Sequence, residues 1–171
     1  MKRFSTVLFS FLFAALIFSK AGYAGIKASS ASDVVDSAAA RKEIISIINT
    51  VINASGSFDI KAVADFYTPN ALVADEEPPF SWNGPTAGVQ WVSTVEKTCK
   101  DLKIKKLKGH IGHISVYLQS EESVYVIVPV DYVGEVKDQS FEEDGAFTFV
   151  FRLVNGKWLI KSQVWVSRKG M

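Results

Sequence analysis

The chain has 171 residues, 48% of them hydrophobic, with 19 basic and 18 acidic side chains and a formal charge of +1. That is enough chain and apolar matter for one domain with a real core. The near-even charge balance excludes the basic footprint of a nucleic-acid binder, and the single cysteine, Cys99, excludes an internal disulfide.

Residues 1–24 read as a signal peptide. Lys2 and Arg3 form a basic start, residues 7–18 are almost unbroken apolar sequence, and Gly22, Tyr23 and Ala24 supply a cleavage site before Gly25. The apolar run falls short of the roughly 20 residues needed to cross a bilayer, so no stable membrane anchor is expected after processing. The expected destination is the periplasm or the medium. Cleavage removes Lys2, Arg3 and Lys20 and leaves a slight acidic excess. The cluster Lys103, Lys105, Lys106 and Lys108 has no interleaved aromatic residues and reads as a solvated face.

Residues 25–36 are small and polar and form a flexible lead to a folded domain over residues 37–171. Asp33 or Ser37 can cap a first helix to about Asn53, with an apolar stripe of Ile44, Ile48, Val51, Ile45 and Ile52. Ser55, Gly56 and Ser57 break it. Asp59 caps a shorter second helix with Ile60, Val63, Ala64 and Tyr67 inward, stopped by Pro69. Residues 71–74 make a short strand ended by Pro78 and Pro79. Pro85 suits the first turn of a third helix that carries Val89, Val92, Val95, Cys99 and Leu102 at spacings of three and four. Cys99 reads there as a small buried hydrophobe.

The period then changes to two. Residues 106–118, 124–136, 146–154 and 157–167 predict four long strands, with turns at 120–122 and 137–145 and a two-residue hairpin at Asn155-Gly156. Residues 124–130 are apolar on both faces, which suits a central strand. The fold class that follows is α+β: a cone-shaped, curved antiparallel sheet of four long strands and one short strand, packed on three N-terminal helices.

This element order resembles the nuclear-transport-factor-2-like superfamily, over about residues 39–167. The resemblance is carried by Asp59-Ile60-Lys61-Ala62-Val63 through Phe66-Tyr67-Thr68-Pro69-Asn70-Ala71, by Trp82-Asn83-Gly84 ahead of a helix, and by Asn155-Gly156-Lys157-Trp158-Leu159-Ile160. It is strongest to small bacterial SnoaL-like and ketosteroid-isomerase-like proteins. The superfamily spans isomerases, dehydratases, cyclases, binding proteins and assembly modules, so the fold does not choose a function.

The resemblance places Asp75 where the isomerase-like members carry a general base, a role that needs apolar surroundings to raise its pKa. The alternative is an exposed acidic turn with Glu76 and Glu77. The isomerase's two enolate-holding donors are missing: residues 38–53 contain no Tyr, and Ala146 stands where the second, an Asp, would fall. SnoaL-like dehydratases use a His and an Asp, which points to His113 with Asp131 on the neighbouring strand. On a strand His110 and His113 face opposite ways and share a metal only if a bulge at Gly112 turns one of them, so no metal site and no cofactor is expected. Similar sequences often carry two His on the last strand, where this chain has Ser162 and Val164. Phe147, Phe149 and Phe151 share one face, and Trp158 and Trp165 are expected on opposite faces.

A curved sheet closed by helices keeps a mostly apolar hollow. Tyr67, Trp82, Asp75, His113 and Asp131 are its candidate lining. Three readings follow: a binder of a small apolar molecule, a proton-transfer enzyme using Asp75 or a His–Asp pair, and a homodimerisation module.

Overall fold

The computed structural model describes residues 37–168. The expected signal peptide, the flexible lead and the Asp33 cap lie outside the described residues.

Helix α1 spans Ser37–Ser57 and buries Ile44, Ile47, Ile48, Val51 and Ile52, while Ile45 is only half-buried. It continues through Ser55-Gly56-Ser57, where a break was expected. The reason is a close approach: a Cβ on Gly56 would sit 2.8 Å from the Leu107 carbonyl oxygen. Glycine is there to admit the neighbouring strand, and the helix ends at Phe58 with φ of 60°.

Helix α2 is a single turn, Ile60–Val63, capped by the Asp59 carboxylate, which accepts from the Lys61 and Ala62 amides. Only Val63 is buried in it; Ile60 and Ala64 are exposed. Strand β1, Tyr67–Ala74, starts where the second helix was expected to continue. Pro69 therefore lies within a strand, on an exposed stretch where the pairing with the last strand shifts register between Tyr67 and Leu72. A bulge tolerates the missing amide hydrogen. Strand β2, Ser81–Asn83, folds back on β1. Helix α3, Ala87–Leu102, follows Thr86 as its N-cap and ends on Lys103 in the left-handed conformation.

The expected strand 106–118 is two strands, β3 at Ile104–Ile111 and β4 at Val116–Gln119. Both pair with β5, Ser123–Val136, along the same edge. The interruption faces Pro129, whose carbonyl accepts from the Gly112 amide at 2.9 Å but which has no hydrogen to return. Strand β6, Gln139–Val154, begins well before residue 146. Lys137 and Asp138, with φ of 51° and 62°, make a two-residue turn of the primed type. The polar stretch expected as a loop pairs instead with the end of β5. Strand β7, Lys157–Ser167, completes a seven-stranded sheet ordered β2-β1-β7-β6-β5-β3, with β4 beside β5.

The fold is the expected α+β arrangement of three helices on a curved, unclosed sheet. It differs in having seven strands and in being mixed, because β1 runs parallel to β7.

The inner face carries the core. Phe147, Phe149 and Phe151 pair with Val128, Val126 and Val124, and all six are buried. Trp158 and Trp165 share this inner face. A bulge pairs Val150 with Ser162 but Phe151 with Ile160, leaving Lys161 as the extra residue, and the parity of β7 changes there. Trp158 is 3% exposed and Trp165 8%.

Candidate functional site

A cavity of about 450 Å³ lies between α3 and the inner face of the sheet. Four stretches of sequence make most of its walls. From α3 come Trp91, Val95 and Cys99, one turn apart on the face that packs inward. The far ends of β5 and β6 supply Tyr132, Glu143 and Phe147, and β7 adds Trp165. The β1–β2 connection brings Asp75, Glu76, Glu77 and Trp82 to one side.

Asp75 follows the last residue of β1, and its amide donates to the Phe80 carbonyl across the turn at 3.2 Å. Its carboxylate Oδ2 accepts from Trp91 Nε1 at 2.6 Å. Burial pushes the Asp75 carboxyl above the usual carboxylate range. The Trp91 hydrogen bond and the Glu76 and Glu77 amides oppose that shift, and the Glu76 charge adds to it. Desolvation is the larger effect. A carboxylate held in an apolar wall by an indole is therefore a stronger base than a free one.

Tyr132 sits opposite. Its hydroxyl lies 2.7 Å from Ser55 Oγ, and Ser55 donates its only hydrogen to the Ile52 carbonyl at 2.7 Å. Tyr132 is thus the donor and Ser55 the acceptor. The phenol is pushed upward in pKa mainly by burial, so it stays neutral. Aromatic rings continue along the wall: Phe147 and Trp165 lie 4.8 Å apart between centroids, and Tyr132 and Trp165 5.6 Å. Burial also raises the Cys99 thiol, which favours its protonated, unreactive form.

Of the five residues expected in the lining, Asp75 and Trp82 are there. Tyr67 is not: its ring packs over Gly88 of α3, and its hydroxyl donates to Gln163 Oε1 at 2.6 Å inside the core. Asp131 pairs with His110 on β3 and alternates with the inward Val130 and Tyr132, which turns it to the outer face. His113 is exposed in the connection between β3 and β4. The two are therefore not brought to the cavity as a His–Asp pair. Among the described residues, no group of three or more His, Cys, Asp or Glu is arranged to hold a metal ion.

Tyr132, Trp91 and Glu143 line the cavity beyond the five expected residues. The signal for Tyr132 was present, since counting by twos from Val124 through Val130 reaches it.

No family profile and no curated protein sequence matches the chain. Solved structures do. One is a hexachlorocyclohexane dehydrochlorinase, LinA-type3, from Novosphingobium barchaimii, 16% identical, with a TM-score of 0.68 over 78% of this chain and 89% of that one. A scytalone dehydratase-like protein from Novosphingobium aromaticivorans is 14% identical, with a TM-score of 0.62 over 77% and 85%. A nuclear-transport-factor-2-like protein with a cystatin-like fold, also from Novosphingobium aromaticivorans, is 14% identical, with a TM-score of 0.64 over 82% and 94%. At such identities the likeness is one of fold: this chain has the nuclear-transport-factor-2-like fold.

Proposed function

We propose that the domain binds a small, mostly apolar molecule in the cavity beneath α3, with Asp75 as its main polar contact. The supporting observation is a hollow of about 450 Å³ with an aromatic wall, where the half-buried Asp75 carboxylate is fixed by Trp91. Small-molecule sites span about 300–1,000 Å³ and combine apolar walls with a few placed polar groups. The test is native mass spectrometry of protein purified from its own host, alongside a Thr98→Trp variant that fills the cavity from α3. A retained small mass that the variant loses supports the reading. Retention of the same mass by the filled variant, or none in the parent, refutes it.

A second reading is proton transfer by Asp75, favoured by the upward shift of its carboxyl in an apolar wall. The dehydrochlorinase and dehydratase-like neighbours make elimination the reaction class to assay. Tyr132 argues against an enolate-stabilising version, because its hydrogen is already given to Ser55. Turnover that vanishes in Asp75→Asn while ligand retention persists would favour this reading over simple binding.

We also propose that the protein is exported and dimeric. The signal-like residues 1–24 support export, and a mature mass that begins at Gly25 is the expected result. The outer sheet face supports self-association: Val166 is 40% exposed, and Ile127, Val150 and Val164 are only half-covered. Sedimentation of a Val164→Glu variant as monomer, against dimeric parent protein, is the expected outcome.

A further inference from the structure

Resting on the binding reading above, we propose that the cavity selects an apolar cation, such as an alkylated ammonium carried on a hydrocarbon or aryl body, over neutral or anionic molecules of the same shape.

The aromatic rings are the first ground. Trp82, Trp91, Tyr132, Phe147 and Trp165 all line the same hollow. Ring faces attract a cation within about 6 Å of their centroids, most strongly when it is desolvated. Charge is the second. Asp75 and Glu143 line the hollow half-buried, and the exposed Glu76 and Glu77 border it against one ammonium, the exposed one of Lys137. A low-dielectric wall with one prevailing sign enriches ligands of the other.

Hydrogen bonding is the third ground. Three donors of the wall are committed to the protein: the Trp91 indole to Asp75, the Tyr132 hydroxyl to Ser55, and the Thr94 hydroxyl to the Gln90 carbonyl at 3.0 Å. What the wall presents is ring faces, carboxylate oxygens and the remaining donors of Trp82, Trp165, Thr98 and Lys137. An anion would meet like charge there. A hydrocarbon would fill the space but deprive Asp75 of remaining water without replacing it. A cation replaces that hydration and meets the rings with one group.

The groups that bear on Asp75 are Trp91 from α3, Glu76 and Glu77 from its own turn, and Tyr132, Lys137 and Glu143 from the β5–β6 side. Because burial disfavours the Asp75 anion, cation binding is expected to weaken as pH falls and the carboxyl takes up its proton.

Calorimetric titration with three molecules of one shape tests this: benzyltrimethylammonium, the hydrocarbon neopentylbenzene and the anion phenylmethanesulfonate. The expected result is at least tenfold tighter binding of the ammonium than of the hydrocarbon, with that preference lost in Asp75→Asn and reduced in acid. Hydrocarbon binding retained by Asp75→Asn shows that the variant's cavity is intact. Equal or tighter binding of the hydrocarbon or the sulfonate overturns charge selection and leaves the cavity-binding reading standing. If none of the three binds and the protein from its host carries no retained mass, both readings fall.

Discussion

Trp91 Nε1 donates to Asp75 Oδ2 at 2.6 Å, tying the second turn of α3 to the end of β1 in the cavity wall. The bond lowers the carboxyl's pKa against a stronger desolvation effect. Trp91→Phe removes the donor and keeps an aromatic ring beside Phe147, which lies 5.7 Å away in an edge contact. The expected outcome is a further rise in the Asp75 pKa, read by carboxyl NMR titration. Global stability should fall by about 1–3 kcal/mol in urea denaturation, from the lost charge-assisted bond and the smaller ring.

The same carboxyl sets a pH dependence of stability. Its folded pKa lies above the ordinary value of 3.8, so the folded chain holds the proton more tightly than the unfolded one. Stability from this group is complete below 3.8 and is lost as pH rises through the folded pKa. Asp75→Asn removes that loss. Relative to the parent, the variant should gain stability as pH rises above 3.8 and level off beyond the folded pKa, measured by denaturation at a series of pH values. A difference that does not vary with pH would contradict the desolvated setting of Asp75.

Tyr67 and Gln163 form a buried pair whose members stand or fall together. Gln163 is fully buried, its Oε1 accepts from Tyr67, and its Nε2 has no partner. Tyr67→Phe should cost about 1–3 kcal/mol, because it leaves the amide oxygen unsatisfied too. Adding Gln163→Leu should recover most of that cost, since removing both partners of a buried bond is nearly neutral. A thermodynamic cycle of the parent, both single variants and the double measures the coupling directly.

The end of α1 is expected to be sensitive to one methyl group. Gly56→Ala drives a Cβ against the Leu107 carbonyl oxygen at 2.8 Å, and backbone on both sides must move. A loss of about 1–3 kcal/mol is expected by analogy with overpacked cores. The Ser55–Tyr132 bond lies one residue away, so the displacement should also appear in the amide resonances of β5.

What was legible in the chain depended on period. The spacing of Val92, Val95 and Cys99 gave α3, and the period-two run over residues 124–136, apolar at its start, gave β5, because burial leaves its pattern in the sequence. Elements governed by pairing left weaker marks. The polar residues that open β6 look like a loop, yet they bond to β5 because the turn at Lys137-Asp138 fixes their register. The Lys161 bulge has no local signature, and it alone moves Trp158 to the inner face. In the site, Asp75 and Trp82 were marked by the resemblance, which places one at the end of the first strand and the other ahead of a helix. The resemblance also points to Asp131 and His113, but strand parity and the break at Pro129 turn them away from the cavity.

Three of the chain's four tryptophans, Trp82, Trp91 and Trp165, border the same hollow, and only Trp158 stands apart from it. The molecule thus carries its own optical probe. Whatever enters will alter indole emission without any attached dye. Trp91, bonded to a titrating carboxyl, will also register that group's proton in its spectrum. Occupancy and ionisation can therefore be followed in one cuvette, with replacement of Trp91 separating the two signals.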